Sequence, residues 1–515
     1  MTLALSLMFA SCNSTVDEDE DDEVRTKPST ETTIEDASDE ESSEHEAYGD
    51  SDGTHKCVPQ NHKCTECEAI VCTDANTDGF CDECGLKYEV IDKKTCRIVG
   101  IGSFEGKELN IPKYVENYTV VEIGNSAFSD CTSLTAVSLP EGVTNIGYSA
   151  FYGCTSLTDI AIPSSVRSIG NDAFSNCESI KSIEIPNGVT SINDNTFSSC
   201  ESLETVIIPD SVTSIAPHAF GGCESLTGIS IPAGITSIGN NTFNSCKSLT
   251  SVIIPDGVTS IGYDAFYNCT ALTSVTIPDS VKTIEDSAFG WCESLTEITI
   301  PSGIKNISYK AFASCKSLTS VVIPDSVTSI GKSAFRNCTS LESITISKNV
   351  TSIGKNAFEN CISLTSIAIP DGVTVIDDFT FYSCISLTNI TLPDGITSIG
   401  RAAFAYCEAI ENINLPNSIK SIGEDAFKSC ESLTSIALPF ELEIIGGCAF
   451  AGCKNIKSID ISSKVTSIGE GAFYGSKSLE TIVFNGFMEQ WNKISFGDDW
   501  NESCGEYDFY YLVEE

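Results

Sequence analysis

The sequence predicts a repeat protein, a solenoid of about sixteen coils made of short parallel strands and of turns or 3₁₀ helices. Cysteine recurs with one fixed spacing from Cys131 to Cys453, and a phenylalanine stands three positions before each one. Phe473 continues the phenylalanine series where Ser476 takes the cysteine position. A single unit cannot bury its own apolar side chains, so repetition at one fixed period indicates stacked coils that share a core.

Each unit places its apolar residues at regular inward positions. In residues 134–154 the first, fourth and sixth residues have the spacing of a leucine-rich-repeat strand, which points them into the solenoid: Leu134, Val137 and Leu139. Pro140 ends the strand because proline has no N–H for a strand ladder. Two further apolar residues and a short helical or 3₁₀ turn are expected to close the coil: Val143, Ile146, Ala150, Phe151 and Cys154.

The repeated cysteines and glycines are interpreted as structural. Free cysteine is among the most buried residue types, so a regular row of thiols in an apolar unit predicts a core ladder. Glycine follows the inward isoleucine in most units, as Gly147 does, but other residues replace it in some units, among them Ala216, Glu285, Ser308 and Asp377. A strict requirement for positive φ would not accept these residues easily, so the glycine is expected to mark a loose turn.

Residues 55–95 differ from the repeats and predict a small Cys-rich module that could bind metal. The segment Asp74-Ala-Asn-Thr-Asp-Gly-Phe-Cys-Asp82 has the oxygen ligands and central glycine of a short calcium loop, although Gly85 replaces the final Glu of a full EF-hand. Its calcium candidates are Asp74, Asn76, Asp78 and Asp82. Zinc is an alternative, because two CxxC pairs have zinc-knuckle spacing: Cys64, Cys67, Cys81 and Cys84. Disulfides are the third alternative. The repeats themselves require no cofactor.

Residues 1–54 predict export, a lipid anchor and a tether. Residues 1–12 form a short apolar run that ends in Phe9-Ala10-Ser11-Cys12, which resembles a bacterial lipobox with Cys12 as the lipidated residue. Residues 13–54 predict an acidic, disordered tether, since 17 acidic and two basic residues lie between positions 17 and 52. The whole chain has a net charge of −43, which disfavours nucleic acid and anionic lipid as partners. Contact with the membrane is therefore expected through the lipid anchor only.

The outward strand positions are the candidate binding face. They carry mostly small hydroxylated residues, and the more distinctive side chains among them are Asp159, Glu184, Glu297, Thr299, Asn389, Asn412, Asn414 and Asp460. No catalytic motif is present, and His218 is the single histidine of the repeats. We therefore expect a binding protein and no enzyme.

The repeat pattern resembles a known family. The unit L-T-S-[VI]-x-I-P-[DS]-[GS]-V-T-S-I-G-x-x-A-F-x-x-C, shown almost without deviation by residues 251–266, is similar to the BspA-type leucine-rich repeat of bacterial surface proteins. The resemblance implies a solenoid over residues 96–481 and a C-terminal cap over residues 482–515, where Trp491 and Trp500 would cover the last coil. It further implies surface exposure, which together with the lipobox-like Cys12 predicts a lipid-anchored protein at the bacterial cell surface or outer membrane. Adhesion to protein or glycan ligands on host or neighbouring cells is the implied function, and a passive structural stalk is the alternative.

Overall fold

The computed structural model describes residues 85–513, and before them three two-residue strands at residues 59–60, 63–64 and 71–72. The lipobox-like Cys12 and the acidic tether lie outside the described residues. So does most of the Cys-rich module, including all four calcium candidates and three of the four zinc candidates. Cys64 lies in a short strand that pairs antiparallel with Pro59–Gln60.

The predicted solenoid of parallel strands is confirmed. One ladder follows the outward strand positions of the repeats, and each strand residue pairs with the residue at the same repeat position of the next coil. Its strands are Glu108–Asn110, Ala136–Ser138, Asp159–Ala161, Ser182–Glu184, Thr205–Ile207, Ser251–Ile253, Ser274–Thr276, Ser320–Val322, Ser343–Thr345, Ser366–Ala368, Asn389–Thr391, Ser435–Ala437, Ser458–Ser462, Thr481–Phe487 and Asp508–Leu512. Glu297 and Asn412 are held by single bridges only. This first ladder defines what we call the strand face.

A second ladder of parallel strands runs along another side of the coils. Its inward residue is the isoleucine that precedes the repeated glycine, and its outward residue is usually serine. The strands are Asn145–Ile146, Ser168–Ile169, Ser191–Ile192, Ser214–Ile215, Ser237–Ile238, Ser260–Ile261, Thr283–Ile284, Asn306–Ile307, Ser329–Ile330, Ser352–Ile353, Val375–Ile376, Ser398–Ile399, Ser421–Ile422, Ile444–Ile445, Ser467–Ile468 and Ser495–Phe496.

We call the third side of each coil the turn side. A helical or 3₁₀ turn was expected here, and the structure contains hydrogen-bonded turns instead. The reason is a left-handed residue two positions before and two positions after each repeated phenylalanine, as at Ser149 (φ 50°) and Gly153 (φ 68°) around Phe151. This alternation aims every second N–H at the next coil. The N–H of Phe151 thus donates to the carbonyl of Ala173 at 2.8 Å, and Gly153 donates to Ser175 at 2.9 Å. Backbone hydrogen bonds therefore join successive coils on all three sides.

The core is a stack of phenylalanine rings. Sixteen of them, from Phe128 to Phe473, follow one another with ring centroids 5.2–5.8 Å apart and interplanar angles of 2–17°. All are fully buried. Stacking at this distance adds a favourable ring–ring contribution to the burial of apolar area.

The cysteine ladder is also in the core, as predicted, and its thiols have a second role. From Cys154 to Cys453, each Sγ–H donates to the carbonyl oxygen of the phenylalanine 26 residues earlier at 3.1–3.3 Å. That carbonyl also accepts an N–H from its own coil, as Phe151 does from Cys154. Each thiol therefore links two coils. Cys96 is buried in the first coil and belongs to the solenoid core.

The expectation that the repeated glycine marks a loose turn is wrong. A Cβ built at Gly170 would lie 2.6 Å from the backbone N of Tyr148 in the preceding coil, and one at Gly147 would lie 2.7 Å from that of Asn125. Neither glycine has a positive φ. Glycine is favoured here because the backbones of successive coils approach closely.

Both ends of the stack are covered. At the beginning, Lys87–Val90 pairs antiparallel with Thr95–Gly100, which continues the second ladder through Tyr118–Ile123. The strand Tyr114–Val115 pairs with Tyr118–Ile123 and with Val71–Cys72. At the other end, a short helix spans Met488–Trp491. Two aromatic contacts cover the last coil: the ring centroids of Trp500 and Phe473 lie 6.2 Å apart, and those of Trp491 and Phe484 lie 5.1 Å apart.

Candidate functional site

The residues predicted to form the binding face all lie on the strand face, and all are exposed: Asp159, Glu184, Glu297, Thr299, Asn389, Asn412, Asn414 and Asp460. The register spreads them along the ladder, so they do not form one compact site. Asn389 and Asn412 are close, since their coils are adjacent and the first ladder carries both. Between many of the others lie several coils, each adding about 4.8 Å.

A shallow depression of about 340 Å³ lies on the strand face. Its floor includes Ala368, whose small side chain lies between Thr345 and Thr391 in neighbouring strands. Ser366 and Asn389 provide polar groups at its side. The depression can therefore accept a small apolar group surrounded by hydrogen-bonding partners.

The strand face also exposes large apolar side chains. Ile207, Ile253 and Val322 occupy the same outward strand position and are 61, 72 and 66% exposed. Thr276 and Thr299 occupy this position in two intervening coils. From Ile253 to Val322 the row therefore consists of β-branched side chains that provide apolar contact area, whereas Ser230 interrupts it after Ile207.

An aromatic cluster on the turn side was not predicted from the sequence. Phe379, Tyr382 and Tyr406 form what we call the turn-side cluster. Their rings meet at angles: Phe379 to Tyr382 at 5.8 Å and 58°, and Tyr382 to Tyr406 at 5.4 Å and 72°. The guanidinium of Arg401 lies 5.7 Å from the ring centroid of Phe379. All three rings are half-buried.

Two buried carboxylates flank the turn-side cluster. In the coil before Tyr382, Glu359 is 2% exposed, accepts a 2.6 Å hydrogen bond from Asn356 and pairs with Arg336 at 3.1 Å. In the coil after Tyr406, Asp425 is similarly buried and pairs with Lys428 at 3.1 Å.

These surroundings raise the pKa of the Tyr382 hydroxyl. Burial is the main cause, and the neighbouring Tyr406, Glu359 and Asp425 add to it, because each disfavours a tyrosinate anion. Tyr382 therefore stays neutral and keeps its O–H as a hydrogen-bond donor.

A smaller example of the same arrangement lies five coils earlier. Tyr267 and Trp291 occupy the repeat positions of Tyr382 and Tyr406, and their rings are 5.3 Å apart. The residue between their coils that corresponds to Ala405 is Gly290, where an added Cβ would lie 3.2 Å from the ring of Tyr267. In both pairs, a tyrosine of one coil is matched in the next coil by a small residue followed directly by a second aromatic residue.

A signal for these residues was present in the sequence. The positions two before and two after each repeated phenylalanine are occupied by Ser, Asp, Asn or Gly in 25 of 32 cases. Trp291, Phe379 and Tyr406 depart from that composition. They lie outside the outward strand positions, which were the basis of the predicted binding face.

No metal site is found among the described residues, where no three His, Cys, Asp or Glu side chains are grouped to hold an ion. The thiols are unsuited to nucleophilic chemistry, because burial raises the pKa of Cys223 and Cys269 to about 12. Burial lowers the pKa of His218, which lies on the turn side. Across the described part of the chain, no helix has the length and apolar character needed to cross a membrane.

The parallel ladders, the regular coil and the buried phenylalanine stack define a leucine-rich-repeat solenoid. The chain belongs to the BspA-type leucine-rich-repeat family. The pattern described as "BspA type Leucine rich repeat region (6 copies)" matches residues 97–227, 213–341, 259–384, 305–434 and 374–501. The predicted resemblance is therefore confirmed.

A solved structure supports the same fold. A leucine-rich repeat protein from Bacteroides ovatus is 30% identical, with 83% of this chain and 98% of that chain covered and a TM-score of 0.64. Also similar in sequence is a leucine rich cell surface protein from Faecalibacterium prausnitzii, which is 29% identical, with 80% and 96% covered and a TM-score of 0.34. No curated protein matches the sequence.

Proposed function

We propose that this protein is an exported, surface-displayed adhesin that binds protein or glycan ligands through the strand face of its solenoid. The observation that carries the proposal is the depression around Ala368, which brings Asn389 and Thr391 of the predicted face to one place. The long inter-coil hydrogen-bond network keeps this surface preorganised, which lowers the entropic cost of binding. Membership of a generally non-enzymatic repeat family supports a binding function.

The sequence features before the solenoid support display at the cell surface. We propose that Cys12 carries the lipid and that residues 13–54 hold the solenoid away from the membrane. The Cys-rich module is proposed to be a structural collar that holds calcium through Asp74, Asn76, Asp78 and Asp82, with zinc on Cys64, Cys67, Cys81 and Cys84 as the alternative. Native mass spectrometry of the full chain distinguishes calcium, zinc and disulfides by mass.

The test is a binding screen of the full chain against matrix glycoproteins and glycans, with and without calcium. For any ligand found, Ala368→Arg should weaken binding about tenfold or more, because the long charged side chain fills the depression. Ala161→Arg is the matched control, since Ala161 occupies the same exposed strand position nine coils away.

Two results would contradict the proposal. Absence of binding across the whole panel favours the alternative, a passive stalk without a dedicated ligand. Equal effects of Ala368→Arg and Ala161→Arg would show that the depression is not where the ligand binds.

A further inference from the structure

We propose that a group of lysines on and beside the second ladder binds an anionic glycan. The group, which we call the cationic patch, consists of the ammonium groups of Lys305, Lys310 and Lys332 and the side-chain amide of Asn306. Lys305 directly precedes the strand Asn306–Ile307, Lys310 follows that strand by three residues, and Lys332 belongs to the next coil. The patch lies on a different side of the coils from the strand face, so it does not depend on the function proposed there.

The local charge of this part of the second ladder differs from that of the other coils. In three consecutive coils, the second strand and the residues next to it contain four lysines and no acidic residue: residues 305–310, 328–333 and 351–356. No other three consecutive coils lack an acidic residue at these positions. Acidic residues mark both borders, with Glu285 and Asp286 in the coil before and Asp377 and Asp378 in the coil after. The fourth lysine, Lys355, pairs with Asp378 at 2.7 Å and is therefore not part of the patch.

The positive charges of the patch are concentrated around one tyrosine ring. The Nζ atom of Lys310 lies 4.9 Å from the ring centroid of Tyr309, and that of Lys332 lies 5.7 Å from it. Within the described residues, Lys305 and Lys310 form no ion pair. Two ammonium groups beside the same ring repel each other, and an anion bound next to both would offset that repulsion.

The patch presents hydrogen-bond donors to a ligand. The Oδ1 atom of Asn306 accepts hydrogen bonds from the hydroxyls of Ser329 at 2.7 Å and of Thr328 at 3.5 Å. These bonds occupy the acceptor end of the amide and leave its Nδ2 as a donor. Ammonium and amide donors without a carboxylate among them match the oxygens of carboxylate and sulfate groups.

The lack of apolar contact area favours a glycan over an acidic peptide. None of the large exposed apolar side chains of the described residues lies in the three lysine-bearing stretches, and the Tyr309 ring already contacts two ammonium groups. Protein interfaces are usually anchored by apolar and aromatic side chains that fill pockets. An anionic glycan instead binds through its charged groups and hydroxyls, which a flat polar surface can accept.

The acidity of the whole chain is compatible with a local anion site. At physiological ionic strength the Debye length is about 8 Å, so exposed charges more than two coils away are largely screened. The acidic residues at the two borders do limit the size of the site. Because the three coils span only about 10 Å from the first strand to the last, the patch fits a few sugar units and not a long polyanion.

The experiment measures binding of short oligosaccharides to the full chain by calorimetry at about 0.15 M salt. Chondroitin sulfate provides carboxylate and sulfate groups, hyaluronan provides carboxylates alone, and dextran is the neutral comparison. An oligoglutamate peptide of similar charge represents the acidic-peptide class.

The variants replace lysines of the patch with residues that other coils carry at the same repeat positions. They are Lys305→Thr and the double variant Lys310→Asn/Lys332→Asn, since most coils have threonine at the first position and several have asparagine at the other two. The matched control is Lys420→Thr, which removes a lysine from the repeat position of Lys305 five coils later, beside Glu424. Thermal unfolding of each variant is recorded in parallel.

The anionic glycans should bind, and dextran should not. Lys305→Thr should weaken their binding about threefold and the double variant about tenfold, at an unchanged unfolding midpoint, whereas Lys420→Thr should leave binding unchanged. Raising the salt to about 0.5 M should also weaken binding, because screening reduces the attraction. Binding of both anionic glycans supports recognition of carboxylate, and binding of chondroitin sulfate alone supports recognition of sulfate. Ala368→Arg should have no effect, which separates the patch from the strand face.

Several outcomes would overturn the proposal. If neither anionic glycan binds, or if dextran binds equally well, the patch does not recognise anionic sugars. If Lys420→Thr weakens binding as much as Lys305→Thr, only the total charge of the protein matters. If Ala368→Arg abolishes binding and the lysine variants retain it, the glycan binds to the strand face. If oligoglutamate binds more tightly than either glycan and the lysine variants abolish that binding, the partner is an acidic peptide.

Discussion

At the scale of single residues, the cysteine thiol explains why the repeat uses cysteine and not another small residue. In most coils the phenylalanine carbonyl accepts one N–H within its coil and one S–H from the next coil, as at Phe151. Alanine would fill less volume and donate nothing, and serine would place a strongly polar hydroxyl in an apolar core. The last coil provides the test, because Ser476 replaces cysteine there.

Ser476→Cys should stabilise the protein by about 1 kcal/mol. The Ser476 side chain is completely buried and its Oγ has no hydrogen-bond partner in the described structure. A longer Sγ–H at this position should reach the carbonyl of Phe450, the equivalent acceptor in the preceding coil, and should bury as a small apolar group. Denaturant unfolding of the two proteins measures the difference. Ser202→Cys, at a partly exposed position of another coil, controls for the added thiol.

The sequence predicted burial of the cysteines but not the bond that they make. Periodicity alone shows that a residue faces inward, as it did for Cys154 and Phe151. A contact between the thiol of one coil and the carbonyl of another requires the inter-coil register, which only the structure gives. The same limit explains the glycine, because the approach of Gly170 to Tyr148 is a property of two coils and not of one.

At the scale of the coil, two left-handed residues on the turn side replace the expected 3₁₀ helix. A helix would direct its N–H groups along its own axis and leave the neighbouring coil without partners. The alternating backbone directs them to the next coil, so the turn side contributes hydrogen bonds to the stack. The frequent Asn, Asp, Ser and Gly at these positions could have predicted this backbone, because these residues tolerate positive φ most readily.

The phenylalanine stack should be the element most sensitive to truncation. Phe289→Ala in the middle of the stack removes a ring with neighbours at 5.3 and 5.8 Å and should cost about 3–5 kcal/mol. Because each coil contacts mainly its two neighbours, the loss should also split thermal unfolding into two transitions. Calorimetry of the variant measures both effects.

Phe440→Ala is the control for that substitution. Phe440 is 56% exposed on the surface, with Lys464 at 4.9 Å from its ring, so its truncation should change stability by less than about 1 kcal/mol. Equal losses for Phe289→Ala and Phe440→Ala would contradict a specific contribution from the stack.

At the scale of the whole molecule, the buried thiols should together make the folding stability depend on pH in alkaline solution. Burial raises the pKa of Cys154, Cys223, Cys269 and Cys338 from 9.0 to about 12, and it also raises the pKa values of Cys177 and Cys200. A raised folded-state pKa gives stability that is fully present below pH 9 and is lost as the pH rises towards 12, since the unfolded chain releases its protons first.

The free energy of unfolding should therefore fall steeply between pH 9 and pH 12. Each pH unit between the folded and unfolded pKa values corresponds to about 1.4 kcal/mol for one thiol. Guanidinium titrations at several pH values measure the dependence. The double variant Cys223→Ala/Cys269→Ala should be less stable at neutral pH but should show a shallower decline, and an unchanged slope would contradict the role of these thiols.

The candidate surfaces also differ in how far they could be predicted from the sequence. The strand face was predictable, because alternation along a strand shows which side chains point outward, and Asn389 and Asn412 are placed as expected. The depression at Ala368 and the ring contacts of Tyr382 were not, since both depend on residues from different coils. Unusual residues at otherwise uniform positions were the available clue.

The buried thiols also impose a condition on how the chain reaches its folded state. Thiols are protected only once neighbouring coils have wound around them, and in the unwound chain a few per cent of each exist as reactive thiolate at neutral pH. The short, regular spacing of the cysteines brings successive thiols close together during collapse, where an oxidant could join them in the wrong arrangement. Winding of the solenoid thus competes with thiol oxidation, and a reducing or oxygen-poor environment gives winding the time to finish.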